Sequence, residues 1–153
     1  MRRLTYALKF IRPASATSAA NPIVATSNCV VTITPVGGTG EIGTLGQFET
    51  ASVLTQPTFN QDGSFTERGV VTFGDPEENN TLSFSSIHFG YLNPYKCPET
   101  PYTAGTVMWG INGGTGFFEG ATGAITSNFL VDASNPNVAG ELIAYHYGVS
   151  YLP

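Results

Sequence analysis

Few side chains in this sequence could do acid–base chemistry. His88 and His146 are its only histidines, and each could supply a base near neutral pH. Both fall in strand-like runs, where a position on an outer face is the plain alternative. Glu49, Glu67, Glu119 and Glu141 lie within or at the ends of such runs. A carboxylate that faces an apolar cavity has a raised pKa and can act as an acid or base. Glu49, beside Phe48, is the best interior candidate, against the alternative of an exposed strand glutamate. Glu119 reads as structural, bonding the backbone of a glycine corner. Lys9, Glu49 and His88 are the candidate catalytic groups, and Asn112 is a further polar group to orient a ligand. Tyr6, Phe48, Trp109, Tyr145 and Tyr147 supply aromatic walls for an apolar ligand. Tyr145, Tyr147 and Tyr151 share one face of the last run and His146 takes the other, with the inward face left open.

Metal and nucleotide chemistry have weaker footing. Cys29 and Cys97 are the only cysteines. They make no disulfide framework, no Cys/His cluster has metal-ligand spacing, and both read as buried thiols. Gly38-Thr39-Gly40-Glu41-Ile42-Gly43 fits G-x-G-x-x-G after a strand. The dinucleotide fingerprint also needs a helix opening at its third glycine, and the residues that follow are glycine-broken and strand-like. No metal and no cofactor are expected.

Strands must position these groups, because no long segment has helical periodicity. Leu4, Tyr6, Leu8 and Phe10 alternate with Arg3, Thr5, Ala7 and Lys9, the pattern of a half-buried strand. Further runs span 23–34, 46–55, 64–73, 81–89, 103–112, 117–131 and 140–151. Between them lie loops at 12–22, 35–45 and 91–101, a turn at 74–80, and the hairpin signal Asn60-Gln61-Asp62-Gly63. Eight sequential strands predict one all-β domain over 1–153, an eight-stranded antiparallel up-and-down barrel. Such a barrel has room for side chains or one small ligand.

Charged residues make up only 11% of the chain, against a usual ~25%, and the net charge is −5. So little surface charge implies that other subunits cover part of the outside, with a secreted or adhesive protein as the alternative. Arg2-Arg3 is the only basic cluster, which argues against nucleic acid as a partner. No apolar run approaches the ~20 residues of a membrane span. Met1-Arg2-Arg3 before an apolar stretch imitates a signal peptide, but Lys9 and Arg12 interrupt it. Read as a first strand, it leaves a cytoplasmic location as the expectation.

The densest glycine stretch carries a family resemblance. Gly113-Gly114-Thr115-Gly116-Phe117-Phe118-Glu119-Gly120-Ala121-Thr122-Gly123, followed by Ala124-Ile125, resembles the signature of the allene oxide cyclase family. It is also similar to the glycine-rich motif of dirigent proteins. Phe73-Gly74-Asp75 and the terminal Tyr151-Leu152-Pro153 extend the likeness faintly. The resemblance implies a calycin-type eight-stranded barrel, assembly into trimers, and ring closure or isomerisation of a small apolar substrate. It does not carry the family's ionisable groups. The cyclases' first-strand Glu falls on Ala7, with Lys9 as the nearby polar position, and their Cys falls on Ala51. The dirigent Asp and Arg fall on Gly116 and Thr122. Ala51 is therefore expected to line the substrate cavity rather than to react.

Three functions follow. The first is a cyclase or isomerase that folds a small reactive metabolite in the barrel and excludes water, which needs little acid–base machinery. The second is a carrier barrel for a hydrophobic small molecule. The third is a filled, purely structural barrel. A polar group at the base of an apolar cavity favours the enzyme over the carrier. The glycine corner and the loops at 12–22 and 91–103 are expected at the cavity mouth.

Overall fold

The computed structural model describes residues 2–15, 22–27, 31–35, 46–93, 100–135 and 139–153. Its strands are β1 (Arg2–Arg12), β2 (Ile23–Ser27), β3 (Val31–Pro35), β4 (Gly46–Phe48), β5 (Ala51–Phe59), β6 (Ser64–Phe73), β7 (Thr81–Ser86), β8 (Gly90–Leu92), β9 (Tyr102–Thr115), β10 (Thr122–Asp132) and β11 (Leu142–Leu152). Among the described residues the only helical pieces are two short 3-10 turns, Pro76–Glu78 and Gly116–Phe118.

All pairings are antiparallel, and β11 closes the sheet onto β1 from Arg2↔Leu152 to Arg12↔Leu142. β2 and β3 share one position beside β1, pairing at Ile11↔Thr26 and Leu4↔Pro35. β7 and β8 share another, between β6 and β9. The wall thus has eight strand positions in chain order, a closed up-and-down barrel. Three runs divide where the sequence reads one, the first at 23–34, which gives β2 and β3. The run at 46–55 bends at Glu49 and Thr50, so that β4 pairs with β3 and β5 with β2 and β6. The run at 81–89 stops at Ser86, whose hydroxyl accepts the Glu67 N–H at 2.7 Å in place of a ladder carbonyl. The Ile87 N–H still reaches the Met108 carbonyl of β9 at 3.0 Å, His88 and Phe89 lie outside the ladder, and pairing resumes at Gly90.

Alternation sets the interior. Leu4, Tyr6, Leu8, Phe10 and Arg12 of β1 are buried, as are Leu142, Ala144, His146, Ser150 and Leu152 of β11. Curvature comes from glycines opposite aromatic rings. Gly148 pairs with Tyr6, Gly105 with Phe129, Gly69 with Phe84 and Gly90 with Phe65. A Cβ at any of the four would lie within 2.7 Å of its partner's ring. The ring covers the glycine and fills the space its missing side chain leaves.

One end of the barrel is closed by aromatics. Phe73 meets Tyr6 edge-on at 5.4 Å and Phe118 at 4.7 Å, and Phe48 packs over Phe73 and Phe117. The glycine corner places Phe118 here. Gly116 turns the chain at φ +57°, and the Asn80 carbonyl oxygen Oδ1 accepts from the Phe117 N–H at 2.9 Å. A Cβ on Gly116 would stand 2.5 Å from that oxygen. Asn80 holds the corner, and Glu119 is exposed. The corner expected at the cavity mouth is therefore at the sealed end, because Phe117 and Phe118 follow Gly116 directly and turn inward.

Candidate functional site

The opposite end is open. A cavity of about 350 Å³ enters between Arg12, Ile23, Phe59, Phe65, Leu92, Phe129, Val131 and Leu142. Its walls come from the starts of β2, β6 and β11 and the ends of β1, β5, β8 and β10, so the described ends of the two long loops do flank it. A second cavity of about 30 Å³ lies deeper, between Thr55, Trp109, Ser127, Ala144 and His146. Ile23, Glu67, Phe129 and Leu142 line both, so the small chamber lies at the base of the mouth. It has room for a water molecule, whereas the mouth falls at the lower end of the ~300–1,000 Å³ usual for small-ligand sites.

Polar groups converge on this apolar channel. Glu67 follows the inward parity of Phe65, Val71 and Phe73 in β6 and is 8% exposed. Its Oε2 accepts from Trp109 Nε1 at 3.0 Å. Burial pushes the carboxyl up to about 7, and hydrogen bonds from Trp109 and Thr55 offset part of the rise. Near neutral pH Glu67 is therefore close to half-protonated and can give or take a proton. Phe84 stacks on Trp109 at 4.1 Å and fixes the indole that fixes Glu67. His146 stands beside them, its ring 4.5 Å from Phe10 and 4.9 Å from Trp109. Burial pulls it down to about 3, so it is neutral, and its Nδ1 has no partner among the described residues. At the rim, Arg12 Nε donates to the Gly140 carbonyl at 3.1 Å. Tyr102 donates to Glu141 farther out, which pushes the phenol up.

Most residues singled out in the sequence lie elsewhere. Lys9, Glu49 and His88 do not face the interior. Lys9 has the outward parity of β1, Glu49 is exposed at the bend after β4, and His88 is exposed in the excursion after β7. Tyr145 and Tyr147 point outward at 58% and 54% exposure, because His146 takes the inward parity of β11. With Lys9 they line a groove of about 370 Å³ on the outside, where Lys9 Nζ stands 5.9 Å from the Tyr145 ring centre. Asn112 is exposed and donates to Ser85 Oγ at 2.9 Å. Tyr6 and Phe48 belong to the sealed end, and buried Ala51 pairs with Phe73 in the same region. Trp109 alone of these residues lines the chamber. Cys29, Cys97 and the glycines at 38–43 lie outside the described residues.

Among the described residues, no group of His, Cys, Asp and Glu could hold a metal ion, and no helix is long and apolar enough to cross a membrane. Fold and site together define a closed eight-stranded barrel, sealed at one end and open at the other to a pocket of small-ligand size. Neither protein-family models, curated proteins nor solved structures include a match to this chain.

Proposed function

We propose that the protein is a cyclase or isomerase that holds a small, mostly apolar, reactive molecule in the barrel mouth. One observation carries the reading: Glu67, a carboxyl that titrates near neutrality, sits at the base of a cavity whose walls are mostly aromatic and aliphatic. A carrier gains nothing from a buried carboxyl, which costs stability whenever it ionises. A catalyst gains a proton donor or acceptor placed where the substrate's inner end stops. Phe59, Phe65 and Phe129 supply rigid walls that fold a flexible molecule and keep water from it. Glu67 takes the role expected of Glu49, and the neutral His146 lines the same chamber.

Cyclisation and isomerisation conserve mass, and that defines the test. Apolar extracts of the source cells are incubated with the wild-type protein and with Glu67→Gln, then compared by chromatography and mass spectrometry. The reading expects a compound that changes retention at constant mass with the wild type and hardly at all with the variant. One proton-transfer group contributes about a hundred- to ten-thousand-fold. A compound that both proteins retain unchanged would establish the carrier instead.

The reading includes assembly of copies. Ile11, Met108, Leu130, Tyr145 and Tyr147 stand exposed on the outer faces of β1, β9, β10 and β11, which are neighbours in the wall. This face, with Lys9 its central charge, supports a homodimer or homotrimer.

A further inference from the structure

The structure assigns Arg12 as the receptor for an anionic group on the molecule that occupies the barrel mouth, so that the ligand is an apolar acid rather than a neutral hydrocarbon-like compound. The inference rests on the mouth being a ligand site. Its ground is an arginine on the inward face of β1, whose other buried residues are Leu4, Tyr6, Leu8 and Phe10. Arg12 continues the inward series Leu4, Tyr6, Leu8, Phe10 and is only 9% exposed. A guanidinium carries five donors. Nε is used on the Gly140 carbonyl, and Nη1 is buried without a partner among the described residues.

The neighbouring acids do not neutralise it. Asp132 lines the same mouth, but its Oδ1 accepts from the Ser134 N–H and hydroxyl of its own turn. Glu67, the other carboxyl of the mouth, is directed to Trp109. Burial alone lowers the Arg12 pKa, with no compensating rise from a carboxylate. Burying an unpaired cation is costly, and the arrangement is relieved by an oxygen anion that takes the free donors. The chain's net charge of −5 repels anions at long range, so retention of an acid must come from this local contact. Phe59, Phe129 and Val131 beside Arg12 would hold the apolar body.

A matched pair of probes tests this: phenylbutanoate and the neutral phenylbutanamide, titrated calorimetrically into the full chain, into Arg12→Met and into Leu142→Trp. The proposal expects the wild type to bind the acid at least tenfold more tightly than the amide, the usual minimum for a hydrogen bond to a charged group. It expects Arg12→Met to bind both alike, and Leu142→Trp to lose both because the mouth is filled. Equal binding of acid and amide by the wild type overturns the assignment of Arg12 and leaves the mouth as a ligand site. Binding of neither probe, or undiminished binding by Leu142→Trp, overturns both. Should Arg12→Met fail to fold, the wild-type comparison and Leu142→Trp decide the matter alone.

Discussion

Glu67 and His146 make opposite demands on pH, and their variants should separate them. Glu67 titrates near 4.5 in an unfolded chain and at about 7 in the barrel. Between those values the folded state holds one more proton than the unfolded state, so stability falls as pH rises. The interval is about 2.5 pH units at ~1.36 kcal/mol each, or about 3 kcal/mol in all. That contribution is fully present below pH 4.5 and gone once pH passes about 7. His146 titrates at 6.5 unfolded and at about 3 folded. There the unfolded state holds the extra proton, and stability falls as pH drops, by roughly 5 kcal/mol in total. From pH 4.5 to 6.5 the two slopes cancel.

Urea denaturation at closely spaced pH values reads this directly. These two groups should leave the wild type on a plateau between pH 4.5 and 6.5. Glu67→Gln keeps an oxygen for the Trp109 N–H and removes the titration. Its stability should go on rising up to pH 6.5, where the His146 contribution is complete. At pH 8 it should exceed the wild type by up to about 3 kcal/mol, a rise in Tm of roughly 6–12 °C for a chain of this size. An imperfectly bonded amide shifts the whole curve down by a constant and leaves its slope intact. His146→Gln should show the converse fall from pH 4.5 to 7. Parallel wild-type and Glu67→Gln curves across the range would refute the buried, proton-holding Glu67.

Other consequences are quicker to check. Gly116→Val and Gly120→Val place a β-branched residue at φ +57° and +73°, and each should cost more than ~1–2 kcal/mol by thermal melting; unchanged melting would mean an unstrained corner. Glu67→Met combined with Trp109→Phe removes both partners of a buried hydrogen bond and should match or exceed wild-type stability at pH 8, whereas Trp109→Phe alone should push the Glu67 titration higher, as followed by carboxyl NMR. Light scattering should report a dimer or trimer of the 16.2 kDa chain, and Tyr145→Glu with Tyr147→Glu should yield monomers; a wild-type monomer at micromolar concentration would remove the assembly.

The barrel was legible because strand alternation and turns are local. Asn60 to Gly63 shows this best: Asp62 Oδ1 accepts from the Ser64 N–H at 3.0 Å and Gly63 turns at φ +83°, all within five residues. The site was partly legible too, through parity. Arg12 extends the series Leu4, Tyr6, Leu8, Phe10, and that same series puts Lys9 outside. Glu67 shares the parity of Phe65, Val71 and Phe73, and His146 that of Leu142, Ala144 and Leu152. Extending the apolar parity of each strand to its polar members would have found all three. His88 was not open to that reasoning. Ile87 and Phe89 flank it as they would in a strand, and the Ser86 hydroxyl, which takes the Glu67 N–H across the sheet where the ladder ends, is not a signal that periodicity carries. Glu49 fails similarly, because pairing partners distant in sequence decide where the chain bends.

The two ends of the barrel set opposite priorities. At the sealed end, rings meet rings, and each buried phenylalanine contributes about 1.5–3 kcal/mol. Tyr6 is the ionisable exception there, and burial raises its phenol so far that it stays neutral. Toward the mouth, the same inward parity carries Arg12, Glu67 and His146, three groups that burial penalises. A barrel selected for stability alone would place aliphatic residues at those positions, as Leu8 and Val71 are placed nearer the sealed end. Stability lost at one end is offset by the aromatic packing at the other, and the loss falls where a cavity of ligand size meets the wall. On the proposed reading, the gradient along the barrel axis, from neutral rings to a titrating carboxyl to a guanidinium with no acidic partner among the described residues, would suit a ligand with a reactive apolar inner end and an acidic outer one.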